Sequence, residues 1–175
     1  MEFFHKAKSV RLKSNHNKYL VAQEDKETVR QDKNGSEKTA SWTVELSDDG
    51  KCIRLKSCFG KYLTASEEAF LLGMTGKKVI QTLPAIVLDN STYWKPIKHG
   101  CKVRLETSNE GFLRGNGGLP PWRNVVTHVN TFMSHETSWE VDVLELQVTP
   151  KPTSSLLPDS IPNRLDDIRQ WHVGL

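Results

Sequence analysis

Val10-Arg11-Leu12-Lys13-Ser14 is followed, after four residues, by Tyr19-Leu20. The same phrase returns as Ile53-Arg54-Leu55-Lys56-Ser57, then Tyr62-Leu63. It returns again as Val103-Arg104-Leu105-Glu106-Thr107, then Phe112-Leu113. The central leucines, Leu12, Leu55 and Leu105, lie 43 and 50 residues apart, and each copy later reaches a tryptophan, at Trp42, Trp94 and Trp139. Recurrence of pattern and spacing marks one supersecondary unit used three times.

The physics of one unit is legible. Val10, Leu12 and Ser14 alternate with Arg11 and Lys13, the period of a half-buried strand. Asn15-His16-Asn17 is turn chemistry, and Gly60 matches it in the second copy. Tyr19-Leu20-Val21-Ala22 and Tyr62-Leu63-Thr64-Ala65 then return as partner strands, so each copy opens with a β-hairpin. Further strands are predicted over Thr28 to Gln31, Ser41 to Leu46, Lys78 to Thr82, Thr92 to Ile97 and Ser138 to Leu146. Residues 9 to 146 show no helical periodicity. Four short strands in each of three copies (about 8–50, 51–99 and 100–146) give about twelve. Solenoid repeats are usually shorter and more uniform. Propellers usually need at least four blades. Three four-stranded copies predict an all-β protein of the β-trefoil class, a six-stranded barrel closed by three hairpins, which leaves few open sheet edges. The expected core is Val10, Leu12, Leu20, Trp42, Val44, Ile53, Leu55, Leu63, Trp94, Val103, Leu105, Leu113, Trp139 and Val141.

The 175 residues carry 24 Lys and Arg against 21 Asp and Glu, a net charge of +3, with 37% hydrophobic content. Such a balance is that of a globular protein and does not point to nucleic acid, which calls for a clustered basic face. No stretch approaches 18 apolar residues, so no membrane span is expected. Met1-Glu2-Phe3-Phe4-His5-Lys6-Ala7-Lys8 lacks the apolar run of a secretory signal, which predicts a cytoplasmic protein small enough to enter the nucleus. Cys52, Cys58 and Cys101 are an odd set with no CxxC pair, predicting reduced thiols and no zinc site. Asn34-Gly35-Ser36 and Asn90-Ser91-Thr92 are read as turns.

The repeated Val/Ile-Arg-Leu-Lys-Ser and Gly60-Lys61-Tyr62-Leu63-Thr64-Ala65 pattern resembles the repeat of fascin-like trefoils. It is more similar to a plant family described as actin cross-linking, fascin-like, otherwise a domain of unknown function. The resembling stretches are Met1-Glu2-Phe3-Phe4, residues 56–66, residues 70–79 (Phe70-Leu71-Leu72-Gly73-Met74-Thr75-Gly76-Lys77-Lys78-Val79), and residues 117–124 (Gly117-Gly118-Leu119-Pro120-Pro121-Trp122-Arg123-Asn124). The resemblance spans about residues 1–146 and implies a trefoil that binds or cross-links actin filaments. Family members often carry a longer C-terminal portion, sometimes with a second trefoil-like unit.

Residues 147–175 change composition. Thr149-Pro150-Lys151-Pro152-Thr153-Ser154-Ser155 is linker-like. Asn163 to Val173 would place Leu165, Ile168 and Trp171 on one helical face, although a lone helix of that length is marginal in water. The expectation is a mostly mobile tail, with a docking helix as the alternative.

No enzyme motif is complete. Gly73-Met74-Thr75-Gly76-Lys77-Lys78 has two residues between its glycines where a phosphate loop has four, and no Ser or Thr follows its lysine. Gly115-Asn116-Gly117-Gly118 lacks dinucleotide-loop spacing. No GxSxG or HExxH occurs. His128 and His135 are poorly spaced as a metal pair. The reading is a non-catalytic binding module with no cofactor and no metal.

Three features are candidates for the partner surface, the third being Lys77-Lys78, otherwise read as simply solvated. The loop from Arg114 to Asn124 contains Asn116, Trp122 and Arg123. Its prolines would present a stiff aromatic beside a guanidinium, suited to a sugar, a peptide or actin; the alternative is that Trp122 caps the barrel. The first copy offers Lys6, Lys8, Arg11, Lys13 and Lys18, with Arg11 and Lys13 on one outward face, suited to an acidic filament or a headgroup, or simply solvated. Actin binding, implied by the resemblance, is the expected function, with cross-linking only through two faces or self-association, and two alternatives stand beside it. They are carbohydrate binding by Trp122 with Asn116 or Asn124, and a protein-interaction adaptor in stress or developmental signalling.

Overall fold

The computed structural model describes residues 2–84, 89–131 and 134–149. The linker and helix expected beyond residue 149 lie outside the described residues. Twelve strands are present among those described. The first copy supplies β1 (Ala7–Ser14), β2 (Tyr19–Ala22), β3 (Val29–Asp32) and β4 (Trp42–Leu46). The second supplies β5 (Ile53–Lys56), β6 (Tyr62–Ala69), β7 (Lys77–Thr82) and β8 (Lys95–His99). The third supplies β9 (Lys102–Glu106), β10 (Phe112–Gly115), β11 (Val126–Val129) and β12 (Trp139–Leu146).

Six strands close on themselves. β1 pairs with β4, β4 with β5, β8 with β9, β9 with β12, and β12 returns to β1. The β5–β8 seam is a single bridge, Ile53 to Trp94, with reciprocal backbone hydrogen bonds of 2.8 and 2.9 Å. The hairpins β2–β3, β6–β7 and β10–β11 meet one another through the β7–β11 pairing and the bridges Thr28 to Ile80 and Arg30 to Val125. That is the connectivity of a β-trefoil.

One strand expectation shifts and one strand was not foreseen. The strand predicted from Thr92 begins at Lys95, because Asn90–Thr92 form a 3-10 turn whose preceding Asp89 carboxylate accepts the Ser91 N–H at 2.9 Å. β11 had no expectation, since Val126-Thr127-His128-Val129 is buried at every position and shows no alternation. A short helix α1 (Glu2–Lys6), also unexpected, buries Phe4 at the barrel.

The core is as the repeats predict, with one exception. Every expected position is buried except Val141, which is half-buried and packs against the cluster. Trp42, Trp94 and Trp139 are fully buried. Each indole N–H donates to a backbone carbonyl of its own copy, at Leu20, Leu63 and Leu113, over 2.9, 2.9 and 3.0 Å. A buried indole needs such an acceptor, and here the hydrogen bond fixes the ring against the returning strand. The tight turns repeat as well: Asn17, Gly60 and Glu110 occupy one position with φ of 55°, 75° and 59°.

A cyclic clasp joins the copies. Gln31, Gln81 and His128 stand opposite Leu20, Leu63 and Leu113 in their hairpins. Gln31 Nε2 donates to the carbonyls of Asn116 and Val125 in the third copy, at 2.9 and 3.2 Å. Gln81 Nε2 donates to Gln23 and Thr28 in the first, at 3.1 and 3.3 Å. His128 Nε2 meets the Ser66 carbonyl in the second at 2.7 Å, so that nitrogen carries the proton. Gly115 is glycine for this clasp, because a Cβ there would lie 2.6 Å from Gln31 Oε1.

Candidate functional site

Barrel closure lays the basic face of β1 against an acidic face of β12. Arg11 stands opposite Asp142 and Lys13 opposite Glu140 in register. Lys8 Nζ reaches Glu145 at 2.8 Å, Arg11 reaches Asp142 at 3.3 Å, and Lys13 reaches Glu140 at 3.7 Å. Arg11 also donates to the Gly35 carbonyl at 2.8 Å and stacks 4.9 Å from the Tyr19 ring. Arg54 repeats this over Tyr62 at 4.6 Å, so the arginine of the repeat phrase braces its own hairpin. Exposed pairs of this kind contribute little stability, about 0–1 kcal/mol each, but they convert an expected basic patch into a mixed-charge face. Lys6 ends α1 and is exposed. Lys77 and Lys78 are likewise spent, on Glu67 and Glu68.

The second candidate, the loop from Arg114 to Asn124, divides into inner and outer residues. Arg114 sits in β10 and grips the Glu136 carboxylate through Nε at 2.7 Å and through a second guanidinium nitrogen. Burial pushes the Glu136 carboxyl up. The Arg114 hydrogen bonds and charge, the Gly117 N–H at 3.1 Å and His16 at 3.1 Å outweigh it and hold the group below its ordinary value. Asn116 is buried, donating to Val125 O at 3.2 Å and Thr127 Oγ1 at 2.9 Å. The structure therefore places Arg114 and Asn116 as braces of the loop, and the surface pocket expected from Trp122 with Asn116 has Asn116 turned inward. Trp122 is half-buried, with its indole nitrogen enclosed. Arg123 is exposed.

Lys18, Arg123 and Asn124, drawn from the two separate candidate features, meet at the junction of the first and third copies. They line a groove of about 350 Å³ with Gln31, Asp32 and Lys33. Lys18 leaves the β1–β2 turn, Gln31 to Lys33 end β3, and Arg123-Asn124 close the β10–β11 loop. Lys18 Nζ donates to Asn124 Oδ1 at 2.5 Å. Asn124, at φ 71°, turns its carbonyl to accept the Gln31 N–H at 2.9 Å. The left-handed backbone and its two cross-copy bonds hold the groove's wall in place. Lys33 and Arg123 have no ion-pair partner among the described residues, whereas Asp32 is occupied by the Asn34 N–H at 2.8 Å. Gln31, Asp32 and Lys33 carried no signal in the sequence, since only the fold brings the end of β3 to the third copy.

A larger cleft of about 670 Å³ is lined by all three copies, through Asp48 and Asp49, Tyr93, and Glu106 and Glu110. Cys52 lines it, and burial, with Asp49, raises its thiol pKa, so it is held as the weakly nucleophilic thiol. Cys58 is exposed on the β5–β6 turn, and burial of its sulfur raises its pKa as well. Among the described residues no group of three or more His, Cys, Asp or Glu is placed to hold a metal ion, and no helix is long and apolar enough to cross a membrane.

A family model described as a β-trefoil domain of unknown function (DUF569) matches residues 1–142. No curated protein matches the chain in sequence. Solved structures resemble it at low identity. A GlcNAcα1-4Gal-releasing endo-β-galactosidase from Clostridium perfringens aligns at TM-score 0.60 and 18% identity, over 78% of this chain and 32% of that one. This chain thus spans about a third of that enzyme. The designed three-fold symmetric protein ThreeFoil aligns at TM-score 0.61 and 16% identity, over 76% of this chain and 96% of its own. SeviL, solved bound to asialo-GM1 saccharide, aligns at TM-score 0.59 and 12% identity, over 79% and 99%. At such identities the likeness concerns the fold.

Proposed function

Because this chain belongs to the β-trefoil family of unknown function, we propose that it is a non-catalytic binding module, cytosolic, whose ligand is a glycan. The observation that carries the reading is the groove shared by Lys18, Arg123 and Asn124. It is concave, of the size range of small-ligand sites, and lined by amide and charged groups able to hydrogen-bond hydroxyls. The saccharide-bound trefoil of similar fold supports the ligand class. Fold likeness alone is a weak warrant for function, so the reading stands on the groove. The test is a glycan array with the folded full chain. Retention of a defined set of glycans, weakened by Arg123→Ala, supports it; a flat array overturns it.

Actin-filament binding, which the fascin-like resemblance implies, is the second reading. Its electrostatic support is reduced, because Lys8, Arg11 and Lys13 are paired with β12 carboxylates. High-speed cosedimentation tests it, and pelleting at low speed as well would indicate cross-linking. Absence of pelleting at physiological salt removes it. Recovery of a protein partner that neither glycan nor actin displaces would favour the adaptor role instead.

A further inference from the structure

Three-fold symmetry supplies an internal control for the groove. Lys18 of the first copy corresponds to Lys61 of the second and Gly111 of the third. Lys61 donates to the Lys26 carbonyl at 2.6 Å, as Lys18 does to Asn124 Oδ1, but lies near the Asp25 carboxylate, and Gly111 has no side chain. Lys33 follows the clasp residue Gln31 by two positions. The residues following Gln81 and His128 by two are Leu83 and Asn130, both uncharged. The frame is therefore repeated, and the first and second copies also bring two lysines, Lys26 and Lys61, to their junction; what distinguishes the junction of the first and third copies is a third cation, Lys33. The fold does not require Lys33, since the other two junctions close with Leu83 and Asn130 at its position.

The local charge is unbalanced. Lys18, Lys33 and Arg123 line the groove against one carboxylate, Asp32. Many cations elsewhere on the chain are neutralised. Lys8, Arg11, Lys13, Arg54, Lys77, Lys78 and Arg114 all reach a carboxylate. The groove is also pre-formed, because Gln31 Nε2, the Gln31 N–H and Lys18 Nζ tie its two copies together. A ligand entering it does not have to order a loop first, which removes a usual cost of binding. An exposed guanidinium flanked by two ammonium groups matches a planar or tetrahedral oxyanion, with Arg123 donating two parallel hydrogen bonds.

We propose that this groove is the subsite for an anionic substituent, so that the glycan taken by the protein carries a sulfate ester or a sugar carboxylate. The proposal rests on the glycan reading above and narrows it. Arg123 clamps the oxyanion, Lys33 and Lys18 complete its charge, and Asn124 Oδ1 holds Lys18 in place. Asp32 rejects a second negative group beside it.

The experiment uses the full chain on an array that pairs sulfated glycans and sialylated glycans with their neutral parents. The same spots are read with the Lys33→Gln/Arg123→Gln double variant, whose thermal melting is measured alongside. Neither side chain bonds another described residue, so melting should not move. The expected result is retention of anionic members at least tenfold above their neutral parents. That preference falls at 0.5 M NaCl, because the Debye length shrinks from about 10 Å towards a few ångström. It disappears in the double variant. Preference for sulfated members alone assigns a sulfate ester, and preference for sialylated members alone assigns a carboxylate. Equal retention of neutral and anionic members, or an unchanged preference in the double variant, overturns the subsite and leaves glycan binding standing. Retention of no glycan overturns both.

Discussion

Replacing His128 by Gln should remove a component of acid instability while leaving the clasp closed. His128 is 6% exposed and donates from Nε2 to the Ser66 carbonyl. Burial disfavours the imidazolium and lowers its pKa from 6.5. The Ser66 hydrogen bond opposes this, nearby Lys77 adds to it, and Glu67 partly offsets it. The unfolded chain takes up a proton on this residue near pH 6.5. The folded chain does so only at lower pH. Between those two pH values the unfolded state holds more protons, so stability falls as the pH falls. The slope reaches at most about 1.4 kcal/mol per pH unit for one proton. Below the folded pKa both states are protonated and the loss stops growing. Glutamine at this position makes the corresponding bonds in the other two copies, at Gln31 and Gln81. His128→Gln should therefore hold stability at pH 7.5 within about 1 kcal/mol, the size of one hydrogen bond. The assay is urea unfolding of both proteins at half-unit steps from pH 7.5 to 5.0. Carboxylates common to both, such as Glu136, cancel in the difference. Parallel stability curves across that range would refute the account, as would a drop of several kcal/mol at pH 7.5.

Three further outcomes are expected. Trp94→Phe removes a buried indole whose N–H serves Leu63 and should cost about 2–3 kcal/mol from the lost hydrogen bond and the smaller ring; chemical denaturation should give a matching cost for Trp42→Phe and Trp139→Phe, and a tenfold-milder effect at one of them would show that the copies do not bear load alike. Glu110→Gly replaces a side chain at φ 59° by the residue found at the matching Gly60; relief of about 1–2 kcal/mol of left-handed strain, less about 0.5–1 kcal/mol of glycine entropy, predicts a gain of up to about 1.5 kcal/mol, read as a raised melting temperature. Gly115→Ala puts a Cβ 2.6 Å from Gln31 Oε1 and 3.1 Å from Ser14 Cβ; overpacking predicts a loss of about 1–3 kcal/mol, and a neutral result in thermal melting would contradict the close approach.

Much of the fold was legible because it is written three times. Val10-Arg11-Leu12 and Ile53-Arg54-Leu55 alternate, and a strand with one buried face records that face in its sequence; Val103-Arg104-Leu105 repeats the phrase although Arg104 is itself buried. The three tryptophans stand at or immediately before the start of the fourth strand of each copy, β4, β8 and β12. β11 left no such record, because a segment buried at every position has no polar face to alternate with. Phe4 was missed because a five-residue helix is too short to show a period.

The sequence by itself determined the repeat, the twelve-strand plan, the tryptophan core and the absence of a complete catalytic motif. Local periodicity sets all of these, and local periodicity can be read along one chain. The tertiary structure decided which charges are free. Arg11 and Lys13 looked available until barrel closure set them against Asp142 and Glu140, more than a hundred residues away. Lys18, Lys33 and Arg123 looked unrelated until the same closure brought the first and third copies together. Charge is a pairwise property in space, and the pairing of first strand with last is the step that alternation along the chain does not encode.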